Sequence, residues 1–442
     1  MKKIKKILVA NRGEIALRAI RTIKEMGKTA VVVYSTADKD AEYLKFADLA
    51  ICIGGVKSNE SYLNIPSIMA AVEISGCDAV FPGYGFLSEN QNFVEICKYH
   101  NVTFIGPSVE LMATMSDKSK AKEVMKKAGV PVILGSEGAI KDVEQAKELA
   151  SKIGYPVIVK ASAGGGGRGM RIVESEKYIE NAFLSAGSEA VNAFGDGTLY
   201  MEKYIKNPRH IEVQVIADKH GNAIHLGERD CSLQRRHQKL IEESPATILD
   251  DKTREKLLKT AVKATKAIGY ENAGTFEFLV DSDKNFYFME MNTRLQVEHT
   301  VSEMVSGVDI IELMIRVAEG EKLPPQSDIE LKGHAIECRI TAEDPEKFIP
   351  SPGKITKWIT PGGRNVRIDS HAYCNYVVSP HYDSMIGKLI IWGEDRQRAI
   401  AKMKESLNEF KVEGIKTTIA FHKKMMKNVD FVRNDFDTNY LG

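Results

Sequence analysis

The first hundred residues alternate between short apolar runs and amphipathic runs, and this alternation limits the folds that the chain can adopt. Strands are predicted in KKILVAN, TAVVVYS, CDAVFPGYG and VTFIGPS, and a helix in EIALRAIRTIKEMG. Apolar strands short enough to be buried on both faces, with helices between them, indicate an open parallel sheet covered by helices. The sequence therefore predicts an α/β fold for this part of the chain.

The turn Asn11-Arg12-Gly13-Glu14 follows the first predicted strand. Open parallel sheets usually bind ligands at such strand-to-helix turns, but the glycine fingerprint of dinucleotide-binding turns is missing here. A turn followed by a capped helix is an equally good interpretation of these four residues. Both interpretations stay open at the level of the sequence.

The sequence pattern in the middle of the chain predicts a small α+β unit. A helix is expected from Asp117 through Ala128, and Gly129-Val130-Pro131 ends it. From Val132 to Tyr204 the pattern is strand, helix, strand, glycine loop, strand, helix and strand. Strands follow in HIEVQVIAD and AIHLGERDCS, and a helix in KTREKLLKTAVKATKAIGY. From about Gly333 the pattern changes to short strands and one amphipathic helix, RQRAIAKMKESLNEF.

The segment FMEMNTRLQVEH, residues 288–299, carries a polar side chain on every second position. If the segment is a strand, these side chains form one row on one face, about 26 Å long. Upstream, GTFEFLVDSDKNFYFMEMN predicts two strands joined by a polar turn, which would place Glu277 beside the row. The members of the row are Glu290, Asn292, Arg294, Gln296 and Glu298.

The chemistry of this row favours a binding site over a solvated strand face, which is the other interpretation of an alternating pattern. Two carboxylates and an amide on neighbouring strands suit magnesium, which prefers hard oxygen ligands. The guanidinium of Arg294 can hold a small planar anion by two parallel hydrogen bonds. Glu298 would then lie beside that anion as a candidate base.

A glycine-rich segment, AGGGGRG at residues 163–169, connects two predicted strands. Its match to G-x-G-x-x-G is weak, because dinucleotide and P-loop sites need a helix after the loop. Glycines between two strands instead suit a flexible cover over phosphates. Lys160 precedes them on an apolar strand, where a buried cation is costly unless an anion meets it. A phosphate contact is therefore favoured over a snorkelling surface lysine.

The segment DCSLQRRHQK, residues 230–239, is rich in hydrogen-bond donors and poor in apolar residues. By composition it predicts a solvated loop.

Composition excludes several classes of protein. With 442 residues the chain predicts two to four domains. Its formal net charge of +1 argues against nucleic acid as a partner, and no run approaches the roughly 20 apolar residues of a membrane span. The six cysteines form no C-x-x-C pair, so neither a zinc site nor a disulfide framework is indicated. The apolar run after MKKIKK is too short for a signal peptide, and we expect a cytoplasmic protein.

Taken together, ten motifs resemble those of the biotin carboxylase family, particularly the subunits that serve acetyl-CoA carboxylase. In chain order they are ANRGEIALR, PGYGFLSEN, KASAGGGGRGM, YMEKY, PRHIEVQV, ERDCSLQRRHQK, GTFEFL, EMNTRLQVEH, ECRITAEDP and PSPGKI. The resemblance covers the chain from about Ile4 to Tyr440. It implies an α/β (α+β multi-domain) ATP-grasp fold: an amino-terminal doubly wound parallel-sheet domain (1–115), an ATP-grasp domain (116–332) with a mobile lid at about 132–204, and a carboxy-terminal mixed domain (333–442).

The resemblance also implies roles for individual residues. The ATP phosphates are expected at Lys118, Lys160, Gly165, Gly166 and Gly167, adenine at Glu202, Lys203 and Ile205, and other parts of the nucleotide at His210, Gln234 and His237. Magnesium, or manganese in its place, is expected at Glu277, Glu290 and Asn292. Bicarbonate is expected at Lys239, Arg294, Gln296 and Val297, with Glu298 as the base, and biotin at Arg339 with Tyr84 nearby.

By the same resemblance, the chain is expected to carboxylate biotin with ATP and bicarbonate through carboxyphosphate, as the first half-reaction of acetyl-CoA carboxylase in fatty-acid synthesis. The expected partners are a biotin carboxyl carrier protein, carboxyltransferase subunits and a second copy of the chain. The sequence contains no Ala-Met-Lys-Met, so biotin is expected on a separate carrier.

Three residues, Phe81, Thr300 and Arg364, depart from the family pattern. Arg364 replaces an aromatic residue associated with subunit contacts. A related ATP-grasp ligase with an amine acceptor and a non-catalytic nucleotide sensor are the alternative functions.

Overall fold

A computed structural model describes residues 3–136, 138–162 and 169–442. Its first part is a five-stranded parallel sheet with the strand order β3-β2-β1-β4-β5. The elements are β1 (Lys6–Val9), α1 (Gly13–Glu25), β2 (Thr29–Ser35), β3 (Leu49–Gly54), α2 (Ile65–Ser75), β4 (Ala79–Phe81), α3 (Gln91–Tyr99) and β5 (Thr103–Phe104). Ile7 and Val9 pack into one apolar cluster and Leu8 into another, so β1 is buried on both faces. The parallel sheet predicted from the alternation is confirmed.

Two helices, α4 (Val109–Ser116) and α5 (Lys118–Lys127), lead into the small α+β unit. That unit contains α6 (Val143–Ile153), β6 (Val157–Ala161), β7 (Met170–Val173), α7 (Ile179–Phe194) and β8 (Leu199–Lys203). Its antiparallel sheet has the order β7-β6-β8. Buried alanines of the two helices, among them Ala146, Ala150 and Ala186, share one apolar cluster with the sheet. The first strand predicted in this unit is reduced to isolated bridges, such as Gly135 with Glu202.

The rest of the chain supplies the remaining strands and helices. The strands are β9 (Arg209–Ala217), β10 (Ala223–Arg235), β11 (Gln238–Ser244), β12 (Asn272–Val280), β13 (Phe286–Asn292), β14 (His334–Thr341), β15 (Gly353–Lys354), β16 (Lys357–Ile359), β17 (Val366–Ser370), β18 (Val377–Val378), β19 (Met385–Gly393) and β20 (Lys411–Glu413). The helices are α8 (Asp251–Ala267), α9 (His299–Ser306), α10 (Ile310–Ala318), α11 (Arg396–Glu409), α12 (Ile419–Met425) and α13 (Val429–Arg433).

One antiparallel sheet of eight strands organises this part, in the order β13-β12-β9-β10-β11-β14-β19-β17. Strand β11 pairs with β14, so the sheet continues across the boundary predicted at 332/333. All six cysteines are free, and four of them are buried. No helix in the described ranges is both long and apolar enough to cross a membrane.

Two predictions about local structure are wrong. The polar row is not one strand: β13 ends at Asn292, residues 293–298 form turns, and α9 begins at His299. Arg294 donates to the Asn292 side chain and to the Leu295 carbonyl, and these local hydrogen bonds replace those of a ladder. The segment 230–239 is a hairpin rather than a solvated loop, because its first residues are buried in β10 and only the turn around His237 is exposed.

Candidate active site

Two carboxylates face each other across the β12–β13 hairpin. Glu277 and Glu290 are partners in the antiparallel register, as predicted. Asn292 Nδ2 donates to Glu277 Oε1 at 2.8 Å. Within the described ranges, Glu290 makes no hydrogen bond or ion pair, and burial and the charge of Glu277 raise its pKa. A half-buried carboxylate beside a second one fits a divalent cation with oxygen ligands, and Glu277, Glu290 and Asn292 are the residues that would hold it.

Lys239 on β11 contacts three buried carboxylates at once. Its Nζ lies 2.6 Å from Glu212 Oε2, 3.1 Å from Glu277 Oε1 and 2.6 Å from Glu298 Oε1. Burial opposes a charge on Lys239, but these three carboxylates outweigh it and raise its pKa well above the ordinary value. Lys239 is therefore a fixed positive charge that joins the candidate metal ligands to the candidate base.

Glu298 is buried and held between two cations. Arg339 Nη2 donates to its Oε2 at 2.9 Å, while Lys239 contacts its Oε1. Burial favours the neutral acid, but Lys239, Arg339 and Arg229 outweigh it and hold the pKa of Glu298 well below its usual range. Glu298 is the N-cap residue of α9, yet its side chain makes no capping hydrogen bond. The carboxylate is therefore ionised at neutral pH and can accept a proton.

Three of the predicted bicarbonate residues, Arg294, Gln296 and Lys239, are joined by hydrogen bonds through Glu277 although they are not on one strand. Arg294 Nη1 donates to Gln296 Oε1 at 3.2 Å, and Gln296 Nε2 donates to Glu277 Oε1 at 3.0 Å. Arg294 Nε also donates to Glu89 Oε2 at 2.8 Å. The carbonyl oxygen of Val297 accepts a hydrogen bond from Lys388 at 2.8 Å. The turn at 293–298 thus brings Arg294, Gln296, Val297 and Glu298 to the hairpin that carries the two carboxylates.

Lys160, a predicted phosphate lysine, shares the buried Glu202 of β8 with a second lysine that was not predicted. Lys160 Nζ lies 2.7 Å from Glu202 Oε2, and Lys122 of α5 forms an ion pair with Oε1. Burial and the nearby charge of Lys118 lower the pKa of Lys160 to about 8. Burial and the charges of Lys160 and Lys118 lower the pKa of Lys122 to about 7. Lys118, Lys122 and Lys160 lie close enough for their charges to interact, and such a group of lysines suits a polyanion such as a triphosphate.

The other residues predicted to bind the nucleotide are spread over several elements of the fold. His210 Nε2 is 2.9 Å from Glu277 Oε2, and this contact raises the pKa of His210 against the effect of burial. Gln234 is the register partner of Lys239, His237 is exposed in the hairpin turn, and Ile205 follows β8. Lys203 Nζ donates to the carbonyls of Gly154 and Tyr155, both at 2.9 Å, so its ammonium has partners inside the small unit. Gly165, Gly166 and Gly167 lie outside the described residues.

Arg339 and Tyr84, the two predicted biotin residues, lie at the edge of this group of charges. Arg339 Nε donates to Glu242 Oε1 at 2.6 Å, so Arg339 bridges Glu242 and Glu298. Its Nη1 makes no hydrogen bond to the part of the chain that the structure describes. Tyr84 Oη donates to Glu14, and burial and the charge of Glu14 raise the pKa of Tyr84, while the nearby charge of Arg339 partly opposes this rise.

Sequence reasoning missed several charged residues of the site. Glu212 contacts Lys239 and Arg229, and Arg229 Nε lies 2.5 Å from Glu212 Oε1. The signal that pointed to Lys160, a charge inside an apolar strand, was also present for Glu212 in HIEVQVIA. Lys122 gave no such signal, because it lies in a lysine-rich helix. The missed residues are Glu89, Lys122, Glu212, Arg229, Glu242 and Lys388.

Comparison with known proteins matches nearly the whole chain. Family models match in three ranges: "Biotin carboxylase, N-terminal domain" at 3–112, "Carbamoyl-phosphate synthase L chain, ATP binding domain" at 117–326 and "Biotin carboxylase C-terminal domain" at 337–442. The chain is 54% identical to a protein named biotin carboxylase from Nostoc sp., over 99% of each chain.

Two solved structures have the same fold. A biotin carboxylase-beta-gamma-ATP complex from Campylobacter jejuni is 71% identical, covers 99% of this chain and 98% of its own, and has a TM-score of 0.95. The biotin carboxylase domain dimer of the Hydrogenobacter thermophilus 2-oxoglutarate carboxylase, in complex with MgADP, ADP and bicarbonate, is 49% identical. That match covers 100% of this chain and 98% of the other, with a TM-score of 0.92.

Proposed function

The chain belongs to the biotin carboxylase family, has the ATP-grasp fold and carries out the ATP-dependent carboxylation of biotin, and we propose that the charges around Lys239 and Glu298 are its catalytic centre. The observation that carries this proposal is the position of Glu298. An ionised carboxylate lies between Lys239 and Arg339, next to a pair of carboxylates that fits a divalent cation. A site of this kind can both deprotonate a small acid and bind a nucleotide phosphate.

The first step is the activation of bicarbonate, which is a poor electrophile. Arg294 holds the anion, and Glu298 takes its proton because the carboxylate is ionised and unprotonated at neutral pH. The oxyanion attacks the γ-phosphorus of ATP, the bond to the β-bridging oxygen breaks, and carboxyphosphate and ADP result. Lys118, Lys122 and Lys160 neutralise charge on the phosphates. The small unit at about 132–204 serves as the cover that excludes water.

Glu277, Glu290 and Asn292 hold magnesium in this proposal, and manganese suits the same oxygen ligands. When bound, the ion supplies positive charge to the phosphate oxygens. The bound MgADP of the 2-oxoglutarate carboxylase relative supports magnesium as the ion. His210 is proposed to lie beside the nucleotide, where its contact with Glu277 also holds one of the metal carboxylates.

The second step transfers the carboxyl group to biotin. Carboxyphosphate breaks down to carbon dioxide and phosphate, the phosphate takes the proton from the ureido nitrogen, and that nitrogen attacks carbon dioxide. Negative charge develops on the ureido oxygen, and Arg339 stabilises it. Its Nη1, which has no hydrogen bond to the described residues, is the atom we assign to this contact, with Tyr84 nearby.

We assign the chain to an acetyl-CoA carboxylase that works with a separate biotin carboxyl carrier protein and carboxyltransferase subunits. The dimer of the 2-oxoglutarate carboxylase relative supports a homodimer, although the exposed Arg364 replaces the aromatic residue expected at subunit contacts. The three matched ranges support domain limits of 1–115, 116–332 and 333–442. The competing assignment is a 2-oxoacid carboxylase, because the Hydrogenobacter thermophilus relative is the biotin carboxylase domain of a 2-oxoglutarate carboxylase.

The test of the reaction is phosphate release from ATP in the presence of free biotin, with and without bicarbonate. We expect release to require bicarbonate and to be accompanied by carboxybiotin. Release that depends on ammonia or an amine instead would identify a related ATP-grasp ligase. Reconstitution with acetyl-CoA or 2-oxoacid carboxyltransferase subunits separates the two assignments, because only the matching partner yields carboxylated product from the carrier.

A further inference from the structure

Lys388, in the middle of β19, is fully buried and carries a charge. Its Nζ donates to the carbonyl oxygen of Val297 at 2.8 Å and lies 3.2 Å from Glu14 Oε1. Burial of an ammonium group is costly unless it is paired and hydrogen-bonded. Lys388 therefore needs both of these contacts, which come from two different parts of the chain.

Glu14 belongs to the turn Asn11-Arg12-Gly13-Glu14, for which the sequence left two interpretations open. Its side chain is buried in the first turn of α1, where it accepts a hydrogen bond from Tyr84 on the same oxygen that faces Lys388. Asn11 Nδ2 donates to the carbonyls of Pro82 and Tyr84 at 2.7 and 2.8 Å. This turn thus connects the parallel sheet to β19, the strand next to the edge strand β17 of the eight-stranded sheet.

Further charges around Lys388 keep it protonated. Its register partners are Arg339 on β14 and Asp369 on β17. Burial opposes the charge, but Glu14, Glu337 and Asp369 outweigh burial and the charge of Arg367, so the pKa of Lys388 is raised. Lys388 remains a hydrogen-bond donor throughout the neutral pH range.

The contact with Val297 determines the orientation of the peptide group that leads into Glu298. A peptide group is planar, so a carbonyl oxygen fixed at one edge also fixes the N–H of the next residue at the opposite edge. That next residue is Glu298, whose side chain makes no capping hydrogen bond to α9. Val297 and Glu298 lie together in the turn that ends the polar segment.

We propose that Lys388, held by Glu14, is a positioning residue that sets the Val297 peptide group and thereby the base Glu298 for bicarbonate. This inference rests on the proposed role of Glu298. Neither Lys388 nor Glu14 contacts the phosphate lysines in the described ranges, so the pair acts on bicarbonate and not on the nucleotide.

The experiment compares steady-state constants of Lys388→Met with those of the unaltered protein. Methionine keeps an unbranched side chain that is one atom shorter, and it removes the donor and the charge. A hydrogen bond from a charged group is lost, so we expect the KM for bicarbonate to rise about 10- to 100-fold. The KM for ATP should stay within about twofold. An unchanged KM for bicarbonate would overturn the proposal, and so would an equal rise in the KM for bicarbonate and the KM for ATP.

Two further variants separate positioning from loss of stability. Arg396→Met removes another partly buried cation of the carboxy-terminal part, which pairs with Glu243 away from the site; it should lower stability without raising the bicarbonate KM. If Lys388→Met does not fold, Glu14→Gln is the decisive variant, and it should raise the bicarbonate KM about 3- to 10-fold because the amide is a weaker partner. An unchanged constant in Glu14→Gln would overturn the proposal in that case. Absence of bicarbonate-dependent turnover in the unaltered protein would instead contradict the proposed function.

Discussion

Lys239 Nζ lies 2.6 Å from Oε1 of Glu298 at the centre of the proposed catalytic group. The lysine comes from β11 and the glutamate from the turn before α9, so the contact joins two segments that are 59 residues apart in the sequence. This ion pair keeps Glu298 deprotonated, and Lys239 also contacts Glu277, one of the candidate metal ligands.

Glu298→Gln should abolish bicarbonate-dependent phosphate release while ATP still binds. The amide keeps the shape of the side chain but cannot take a proton, and loss of a general base typically costs about 10²- to 10⁴-fold in rate. Lys239 keeps Glu212 and Glu277 as partners, so the fold should persist. Turnover is measured by phosphate release and ATP affinity by calorimetry, with the exposed Glu330→Gln as the control. A parallel loss of ATP affinity would make Glu298 a structural residue.

Arg339→Ala should separate the two half-reactions. Arg339 is proposed to stabilise charge on biotin after carboxyphosphate has formed, so carboxybiotin should fall at least about tenfold more than bicarbonate-dependent ATP cleavage. Arg339→Lys keeps a charge beside Glu298 but not the planar fork, and it should retain more of the ATP cleavage. Both products are measured in the same reaction. Equal losses of both would move Arg339 to the bicarbonate step.

Glu290→Gln should raise the magnesium concentration needed for half-maximal turnover by about 10-fold or more, because a charged oxygen ligand is replaced by a neutral one. Asp283→Asn, in the exposed turn of the same hairpin, serves as the matched control. Both variants are assayed across a magnesium titration at saturating ATP. A titration of Glu290→Gln that coincides with the control would remove Glu290 from the metal site.

Binding of ATP should take up protons at pH 8. The pKa of Lys122 is lowered to about 7 and that of Lys160 to about 8 by burial and neighbouring lysines, so both are partly neutral at this pH. Phosphate anions favour the charged forms, so binding protonates them, and ATP affinity falls as pH rises through and beyond these values. Calorimetry in buffers of different ionisation enthalpy measures the uptake. Lys122→Met should reduce it, whereas the exposed Lys120→Met on the same helix should not.

Glu243→Gln should lower the free energy of unfolding at pH 7 by about 3–5 kcal/mol, because Arg396 and His334 lose a buried anionic partner. Burial opposes the charge on Glu243, but His334 and Arg396 lower its pKa to about 2. The stabilisation is therefore complete above the unfolded-state pKa of about 4.3 and disappears as the pH falls towards 2. Unfolding curves at pH 7 and pH 3 measure both effects. A difference between the proteins that does not shrink at pH 3 would contradict the assigned charge.

The sequence predicted the parallel sheet, the β12–β13 hairpin and the residue types of the site, because those depend on short-range patterns. Apolar runs such as Ile7–Val9 identify strands buried on both faces, and the register of the hairpin follows from alternation on each side of a polar turn. The family resemblance then supplied roles for single residues. None of this required knowledge of which distant segments meet.

Tertiary structure decided how the polar segment is arranged. Alternation alone predicted one extended row, whereas Thr293 donates its N–H and its hydroxyl to Glu89 Oε1, both at 3.0 Å, and Arg294 donates to the other oxygen of Glu89. Glu89 lies 204 residues before Thr293, and a local pattern contains no information about such a partner. The same holds for the buried charges of Arg229 and Lys388. A charge can be buried only where a distant partner compensates for its lost hydration, so the completed fold alone determines which charged residues reach the active site.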